Sequence, residues 1–301
     1  MNNKFLPLVV VLAILLAGLY WVFGLPMVGN PEISTSPEAI ARGEYIYNAG
    51  GCAACHQVED AEGPIGGYVI EVENPFPNTF YTPNITPDDE TGVVGWTGRD
   101  FILAMKHGRS PEGGFYWPSF PYRTYQNMTD EDVLDLAAYL MAQPAIASEV
   151  PDHVLPAWQF DFLMAGWNIL ADFMEGEPPA ISEDAQVQRG AYLARALDHC
   201  GECHTPRNLL GGLDISRELG GNSAGPDGKG IPNISPHAQK GIGEWGVDDI
   251  ESYLELGVLP DGDFAGGKMV EVIENSTGMM TAADRKAIAV FVKSVPPVDG
   301  P

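Results

Sequence analysis

The chain has 301 residues, 45% of them hydrophobic, which is enough material for two domains of ordinary size with their own cores. Its 41 acidic residues outnumber its 16 lysines and arginines, giving a formal net charge of −25. So few cations cannot neutralise the phosphates of a nucleic acid, and this composition excludes nucleic acid as a partner. Basic proteins, by contrast, would be attracted to such a surface; the alternative is that the acidic charge only maintains solubility.

The first predicted element is an apolar helix within residues 1–30. Lys4 is followed by an uncharged run from Phe5 to Phe23, close to the length of about 20 residues that a membrane-spanning helix needs. Because the lone cation precedes this run, we predict a single-pass helix in a cytoplasmic membrane, with the rest of the chain on the periplasmic side. A cleaved signal peptide, with a weak cleavage site at 17–19, is the alternative.

Apolar residues at helical spacing then predict two sets of three helices. The first set covers 37–48 and 99–107 and ends with a helix that opens at a capping box beginning with Thr129. The second set covers 184–197, 246–256 and 281–294. No segment alternates convincingly with period two, so we predict an all-α fold.

The segment between the two sets, residues 145–180, is predicted to be a structured connector. It has too many aromatic side chains for a solvated tether, and the spacing from Phe160 to Phe173 predicts an amphipathic helix that packs across both domains. The alternative use of its apolar face is an interface with another subunit or with a membrane surface. The predicted domains on either side are 31–144 and 181–301.

All four cysteines belong to two Cys-x-x-Cys-His motifs, at 52–56 and 200–204. Thiols about one helical turn apart suit thioether bonds to the two vinyl groups of a haem, and the next residue, histidine, is placed to bind the iron. Disulfides, a zinc site or a thioredoxin-like pair are alternatives, but none explains a histidine after both pairs. We therefore predict two covalently bound haem c groups. The predicted attachment residues are Cys52, Cys55, Cys200 and Cys203, and the predicted iron ligands from the motifs are His56 and His204.

The two motifs belong to a unit that occurs twice. An Arg-Gly-x-Tyr segment precedes each motif, at 42–45 and at 189–192. A Pro-Asn-Ile-Thr/Ser-Pro loop follows each motif, at 83–87 and at 232–236, and its asparagine lies twelve positions before a tryptophan in both copies. Such a repeat predicts two similar domains, each with its own haem.

With these motifs the chain resembles the multi-haem cytochrome c subunits of membrane-bound periplasmic dehydrogenases, such as those for alcohols, gluconate and aldehydes. The resemblance extends over nearly everything after residue 37, including 164–170, 200–208 and 260–292. It implies tandem domains similar to class I cytochrome c, with substrate chemistry done by a separate protein. Those subunits often have three haems, whereas this chain has two motifs.

The resemblance also implies a sixth iron ligand for the second haem, Met269, just before the last helix. A methionine thioether at this place raises the reduction potential of the iron, which suits an electron carrier. In the first unit the same alignment places Phe120 where relatives commonly have the methionine, and phenylalanine cannot bind iron.

Met128, eight residues after Phe120, is our candidate for the sixth ligand of the first haem. Its structural alternative is a hydrophobic contact with Val133 at the start of a helix. Met105 or His107 could serve as the ligand instead, or the iron could be open.

Two smaller predictions concern the surroundings of the haems. We expect Pro206 to place a backbone carbonyl near Nδ1 of His204 and so orient the ring. Arg109, with Trp96 or Trp245, is a candidate partner for the haem propionates.

The sequence has no Gly-rich phosphate loop after a strand and no Ser-His-Asp set, so we predict an electron-transfer protein without substrate chemistry of its own. It would pass single electrons from a dehydrogenase or quinol to a soluble cytochrome c or a terminal oxidase. A haem enzyme with an open first iron, such as a di-haem peroxidase or a thiosulfate-oxidising cytochrome, is the alternative. A subunit locked in a respiratory complex is the third hypothesis.

Overall fold

The structure is a computed structural model that describes residues 6–58, 61–72, 77–225 and 229–300. The helices of the first half are α2 (Pro37–Ala49), α3 (Cys52–His56), α4 (Gly98–His107), α5 (Tyr122–Tyr125) and α6 (Asp130–Met141). The helices of the second half are α8 (Ala185–Tyr192), α9 (Cys200–His204), α10 (Val247–Leu256), α11 (Lys268–Asn275) and α12 (Ala282–Ser294). Two more helices are α1 (Leu6–Phe23) at the N-terminal end and α7 (Leu163–Glu175) in the connector.

The predicted membrane-spanning helix, and with it the predicted location in a cytoplasmic membrane, is wrong. Among the described residues, no helix is both long enough and apolar enough to cross a bilayer. A run of uncharged residues does not by itself establish a spanning helix, because the helix must also be long enough and apolar enough.

The C-terminal end of α1 is instead held by the first half of the chain. Arg109 donates hydrogen bonds to the carbonyl oxygens of Phe23 and Gly24 at 3.0 and 3.3 Å, and also to those of Gly113 and Gly114. Its guanidinium is therefore engaged by four backbone carbonyls. The predicted role of Arg109 as a propionate partner does not fit this position.

The prediction of an all-α fold is also corrected, because the first half contains an antiparallel strand pair. The strands are β1 (Val69–Val72) and β2 (Asn78–Tyr81), and Thr79 in β2 exchanges two backbone hydrogen bonds of 2.9 Å with Val154 in the connector. Each strand has four residues. A pattern of period two needs a longer run than this to stand out from loop sequence.

Each half is built on a close crossing of its first and last long helices. Gly43 in α2 lies against α6, where an added Cβ would be 1.9 Å from the carbonyl oxygen of Asp135. Gly190 in α8 lies in the same way against α12, with 1.9 Å between an added Cβ and the carbonyl oxygen of Ala287. The glycine of each Arg-Gly-x-Tyr segment therefore permits backbone contact between the two helices.

The arginine and the tyrosine of these segments have different partners. Within its own half, Arg42 pairs with Asp135 at 2.5 Å and Arg189 pairs with Asp284 at 2.7 Å. The tyrosines cross over: Tyr45 donates to Asp284 at 2.5 Å, while Tyr192 donates to Asp132. Each tyrosine thus binds the first turn of the last helix of the other half, and the two halves are joined by a reciprocal exchange.

One buried hydrophobic cluster extends through both halves. It includes Tyr47 and Leu136 from the first half and Leu193 and Phe291 from the second. Burial of this apolar surface, at about 25 cal/mol per Å², favours the association of the two halves in addition to the tyrosine hydrogen bonds.

The second half has one extra residue before its motif, and the helix absorbs it. Seven positions separate Tyr45 from Cys52, whereas eight separate Tyr192 from Cys200. The additional residue lies in a π-helical turn at Leu193–Leu197, which directly continues α8. A π-turn is the usual way for a helix to accept one inserted residue, and it is often found beside functional sites.

The connector contacts both halves, as its aromatic content predicted. In α7, Asn168 accepts from Tyr122 at 2.7 Å and Glu175 pairs with Arg123 at 2.5 Å, both in the first half. Trp167 donates its indole N–H to the carbonyl oxygen of Leu210 in the second half, at 2.9 Å. The α7 helix is therefore a fixed part of the structure.

Replacing either crossing glycine should destabilise the protein. For Gly43→Ala or Gly190→Ala we expect a loss of about 1–3 kcal/mol of unfolding free energy, since the new methyl group would overlap backbone atoms. Gly166→Ala in α7, where nothing lies within 4 Å of an added Cβ, should stabilise by roughly 0.5–1 kcal/mol. Urea denaturation of the three variants measures these changes, and equal effects at all three positions would contradict the close crossing.

Asp284 should make a pH-dependent contribution to stability. Burial acts to raise the pKa of Asp284, but hydrogen bonds from Arg189 and Tyr45 outweigh it and hold the pKa below its ordinary 3.8. A carboxyl with a lowered pKa stabilises the folded state above its unfolded-state pKa, and this contribution is lost as the pH falls through the folded-state value. Asp284→Asn should therefore be less stable than wild type at pH 7, with a difference that narrows below pH 3.8. A difference that stays constant over the acid range in denaturant titrations would contradict this.

Candidate haem-attachment sites

The two motif histidines have the same second partner. Nδ1 of His56 is hydrogen-bonded to the carbonyl oxygen of Pro83 at 2.9 Å, and Nδ1 of His204 to that of Pro232 at 2.8 Å. Both prolines belong to the repeated Pro-Asn-Ile-Thr/Ser-Pro loop. The carbonyl fixes the ring and makes Nδ1 the donor, so Nε2 presents its lone pair to a metal. Pro206, which we predicted for this role, does not make the contact with His204.

The loop that provides these carbonyls is itself anchored to the segment after the last helix of each half. Asn84 donates to the carbonyl oxygen of Ile146 at 2.7 Å, and Asn233 to that of Val298 at 2.8 Å. The backbone carbonyl oxygen of each motif histidine accepts from a glycine N–H, Gly66 N in the first half and Gly221 N in the second. The ring and the backbone of each motif histidine are therefore both held by residues outside its motif.

The four cysteines are free thiols within the described chain, and no pair of them is bridged. Burial raises the pKa of Cys52 to about 12 and the pKa of Cys200 well above its ordinary value. A thiol with a raised pKa is a poor thiolate nucleophile, which argues against thioredoxin-like chemistry. Across the described residues, no group of three or more His, Cys, Asp or Glu side chains could hold a metal ion.

The residues present fit a haem. Burial lowers the pKa of His56 and of His204, while the proline carbonyls partly offset the effect, so both rings are neutral at pH 7 and able to bind iron. The phenol oxygen of Tyr47 is buried without a hydrogen-bond partner in the described structure, and Cys52 lies near enough to influence its pKa. An unpartnered buried hydroxyl beside the first motif is what a missing polar group would leave.

The candidate sixth ligands have different surroundings. Met269 is partly exposed in the first turn of α11, a helix that packs against α3 of the other half. Met128 is 3% exposed and belongs to the hydrophobic cluster. It directly precedes Thr129, which caps α6, just as Met280, 4% exposed, directly precedes the cap of α12. The repeat therefore makes Met280 the counterpart of Met128.

The other residues considered near the first iron differ in burial. Phe120 packs between the rings of Tyr116 and Tyr125, with centroid distances of 5.8 and 5.6 Å. Met105 is partly buried in α4, and the side chain of His107, at the end of that helix, is exposed. An exposed His107 has less support as an iron ligand than a buried thioether.

The two motifs lie next to each other across the junction between the halves. Tyr125 is buried there, with its ring 5.8 Å from the ring of His199. Burial raises the pKa of Tyr125, and the charges of Cys52 and Cys55 raise it further. The charge of Cys55 also raises the pKa of Cys203, for which burial is the main cause. Sequence reasoning did not identify this junction, because neither Tyr125 nor His199 belongs to a repeated motif.

Comparison with known proteins identifies the family of this chain. Residues 40–144 match the family model described as cytochrome c. The chain is 42% identical to a protein named diheme cytochrome c-type from Cereibacter sphaeroides, over 91% of this chain and 92% of that protein. It is also similar to the gluconate 2-dehydrogenase cytochrome c subunit of Pantoea cypripedii, at 35% identity, and to the fructose dehydrogenase cytochrome subunit of Gluconobacter japonicus, at 37%.

The match extends over 85% and 86% of this chain for these two subunits, but it spans only 59% and 53% of their own lengths. The resemblance to the cytochrome c subunits of dehydrogenases is confirmed, and so are the predictions of two haem groups and of an electron-transfer protein. The chain belongs to the cytochrome c family and is a di-haem c-type cytochrome, with two covalently bound haem c groups and a role in electron transfer.

Proposed function

We propose that the chain passes single electrons between its two haems and two redox proteins. The observation that supports this most directly is the nearness of the two motifs at the junction, where the ring of Tyr125 lies 5.8 Å from that of His199 and Cys55 is close enough to Cys203 to raise its pKa, since short distances favour electron exchange. When bound, each haem provides a reversible one-electron couple at its iron. The chain positions the two groups and tunes their potentials.

In this proposal each motif has a defined division of roles. Cys52 and Cys55 form the thioethers to the first haem, and Cys200 and Cys203 form those to the second. His56 and His204 bind the irons through Nε2, and their Nδ1 atoms stay hydrogen-bonded to the proline carbonyls. That hydrogen bond increases the electron density on the ring and restrains its rotation, so Nε2 would be held ready to bind iron.

For the second iron we propose Met269 as the sixth ligand, and for the first iron Met128. Met269 is at the place that the family resemblance implies. Next to it, Lys268 in α11 donates to the hydroxyl of Tyr68, the residue before β1, at 3.0 Å. Met128 is a buried thioether close to Tyr125 at the junction. Its equivalence to Met280 supports the competing hypothesis that it only packs in the core.

The partners that we propose are redox proteins, one a dehydrogenase and the other a basic electron acceptor such as a soluble cytochrome c or the docking face of a terminal oxidase. Two of the similar proteins are named as cytochrome subunits of gluconate and fructose dehydrogenases. The net charge of −25 would attract a basic acceptor. Association with such an acceptor should slow steeply as the ionic strength rises, because salt screens charges beyond about 8–10 Å.

The haem stoichiometry tests the attachment sites. Wild type should give two haem equivalents per chain in a pyridine haemochrome assay, and the double variant Cys200→Ser with Cys203→Ser should give one. The matching pair Cys52→Ser with Cys55→Ser should also leave one, since each motif binds its own haem. A variant that keeps two covalent haems would show that its motif is not an attachment site.

The sixth ligands can be tested by three conservative variants. Met269→Leu should abolish the absorption band of methionine-bound ferric haem for one of the two haems and lower its potential, since the thioether is lost. Met128→Leu should do the same for the other haem. Met280→Leu is the matched control, because it removes an equally buried sulfur from the equivalent position and should leave both spectra unchanged.

If Met128→Leu and Met280→Leu are both without effect, Met128 packs in the core and is not a ligand. Carbon monoxide binding to the reduced wild-type protein then distinguishes an open first iron from another protein ligand. An open iron is the only arrangement that would leave the enzyme hypothesis standing, because a peroxidase needs a displaceable position.

A further inference from the structure

The residues just before the two motifs differ between the halves. Counting back from the first cysteine, Gly50 and Gly51 of the first half correspond to Asp198 and His199 of the second. Gly51 and His199 have left-handed backbones, with φ of 61° and 43°. Asp198 is only 7% exposed, so the second half has buried an ionisable side chain where the first has none.

Asp198 reaches the other half through Ser276. The hydroxyl Oγ of Ser276 lies 2.7 Å from Oδ1 of Asp198 and 3.0 Å from the carbonyl oxygen of Ala49, the last residue of α2. Ser276 is 1% exposed, and an added Cβ at Gly51 would be 3.6 Å from its Cβ. The three groups therefore form one buried chain of hydrogen bonds. It joins the backbone of Ala49, three residues before Cys52, to Asp198, two residues before Cys200.

The number of available protons determines which group donates in each of these two hydrogen bonds. Ser276 has one hydroxyl proton, and the carbonyl of Ala49 can only accept. In the described structure no backbone N–H donates to this carbonyl. If the serine donates to Ala49, the proton between Ser276 and Asp198 must come from the carboxyl group.

The surroundings of Asp198 favour this neutral form. Its other contact is Sγ of Cys200 at 3.3 Å, and once that sulfur is a haem thioether it has no proton to donate. The titratable groups around it are His199, Tyr125, Cys200 and Cys203, and among the described residues no arginine or lysine donates a hydrogen bond to it. Burial raises the pKa of Asp198, with His199, Ser276 and Cys200 only partly offsetting the effect.

We propose that Asp198 is a neutral hydrogen-bond donor in a clamp, Asp198–Ser276–Ala49, which fixes the spacing between the two haem-attachment motifs and thereby the electronic coupling between the haems. Asp198 and Ser276 are positioning residues in this proposal, since they act through the backbone next to the cysteines. The inference rests on the proposed function, because it takes both motifs to hold haem.

The clamp is tested in the haem-loaded, full-length protein by circular dichroism of the Soret band. Two haems close together give an exciton couplet whose amplitude depends on their separation and orientation. Ser276→Ala and Asp198→Ala should each reduce this couplet, since the hydrogen-bonded chain is broken. Asp198→Asn should retain it, because the amide N–H can donate to Ser276 as the neutral carboxyl does.

Thr277→Val is the matched control for a lost buried hydroxyl. Thr277 donates to the carbonyl oxygen of Leu254 at 2.6 Å, a contact within the second half only, so this variant should keep the couplet although it loses a similar hydrogen bond. A wild-type couplet in Ser276→Ala, or an equal loss in Thr277→Val, would overturn the clamp. An Asp198→Asn variant that behaves like Asp198→Ala would overturn the neutral donor.

Pyridine haemochrome analysis of every variant separates these outcomes from a failure of the proposed function. Two haem equivalents with a reduced couplet support the clamp, whereas fewer than two equivalents in the wild-type protein would contradict the proposed attachment of haem to both motifs.

Discussion

The close crossing of the first and last long helices within each half is the constraint on which the rest of the structure depends. At Gly43 and Gly190 the helix backbones touch, and only glycine leaves room for that contact. The crossing fixes the direction in which α2 and α8 end, and the motif helices follow within a few residues. It also brings each Arg-Gly-x-Tyr tyrosine to the surface of its half, where it can bind the other one.

The association of the two halves follows from that placement. Tyr45 and Tyr192 exchange partners, and a shared hydrophobic cluster closes the junction between them. The two motifs then meet near Tyr125. A chain with two distant haem domains on a flexible tether would have to wait for domain encounters, whereas here the two motifs belong to halves that share one hydrophobic cluster.

The two halves share a frame but differ where the haems bind. The first half has Phe120 at the position of Met269, and it has two glycines before its motif where the second half has Asp198 and His199. The second half also contains the π-turn at Leu193–Leu197. His199 adopts a left-handed conformation that costs a non-glycine residue roughly 1–2 kcal/mol. The two haem-attachment sites therefore have unequal surroundings.

The sequence by itself determined the cofactor, the number of haems, the repeat and the positions of the long helices, since each depends on residues close together in the chain. Each Cys-x-x-Cys-His motif consists of five consecutive residues, and the helical spacing of apolar residues is also a local pattern. Only the tertiary structure decided that Pro83 and Pro232, and not Pro206, orient the histidines, because 27 and 28 residues separate the partners. The structure also overturned two predictions. Whether a helix can span a membrane depends on its length and apolar character, and whether short segments form strands depends on their pairing with each other. The meeting of Ala49, Asp198 and Ser276 could not be read from any motif, since it arises where two folded halves pack together.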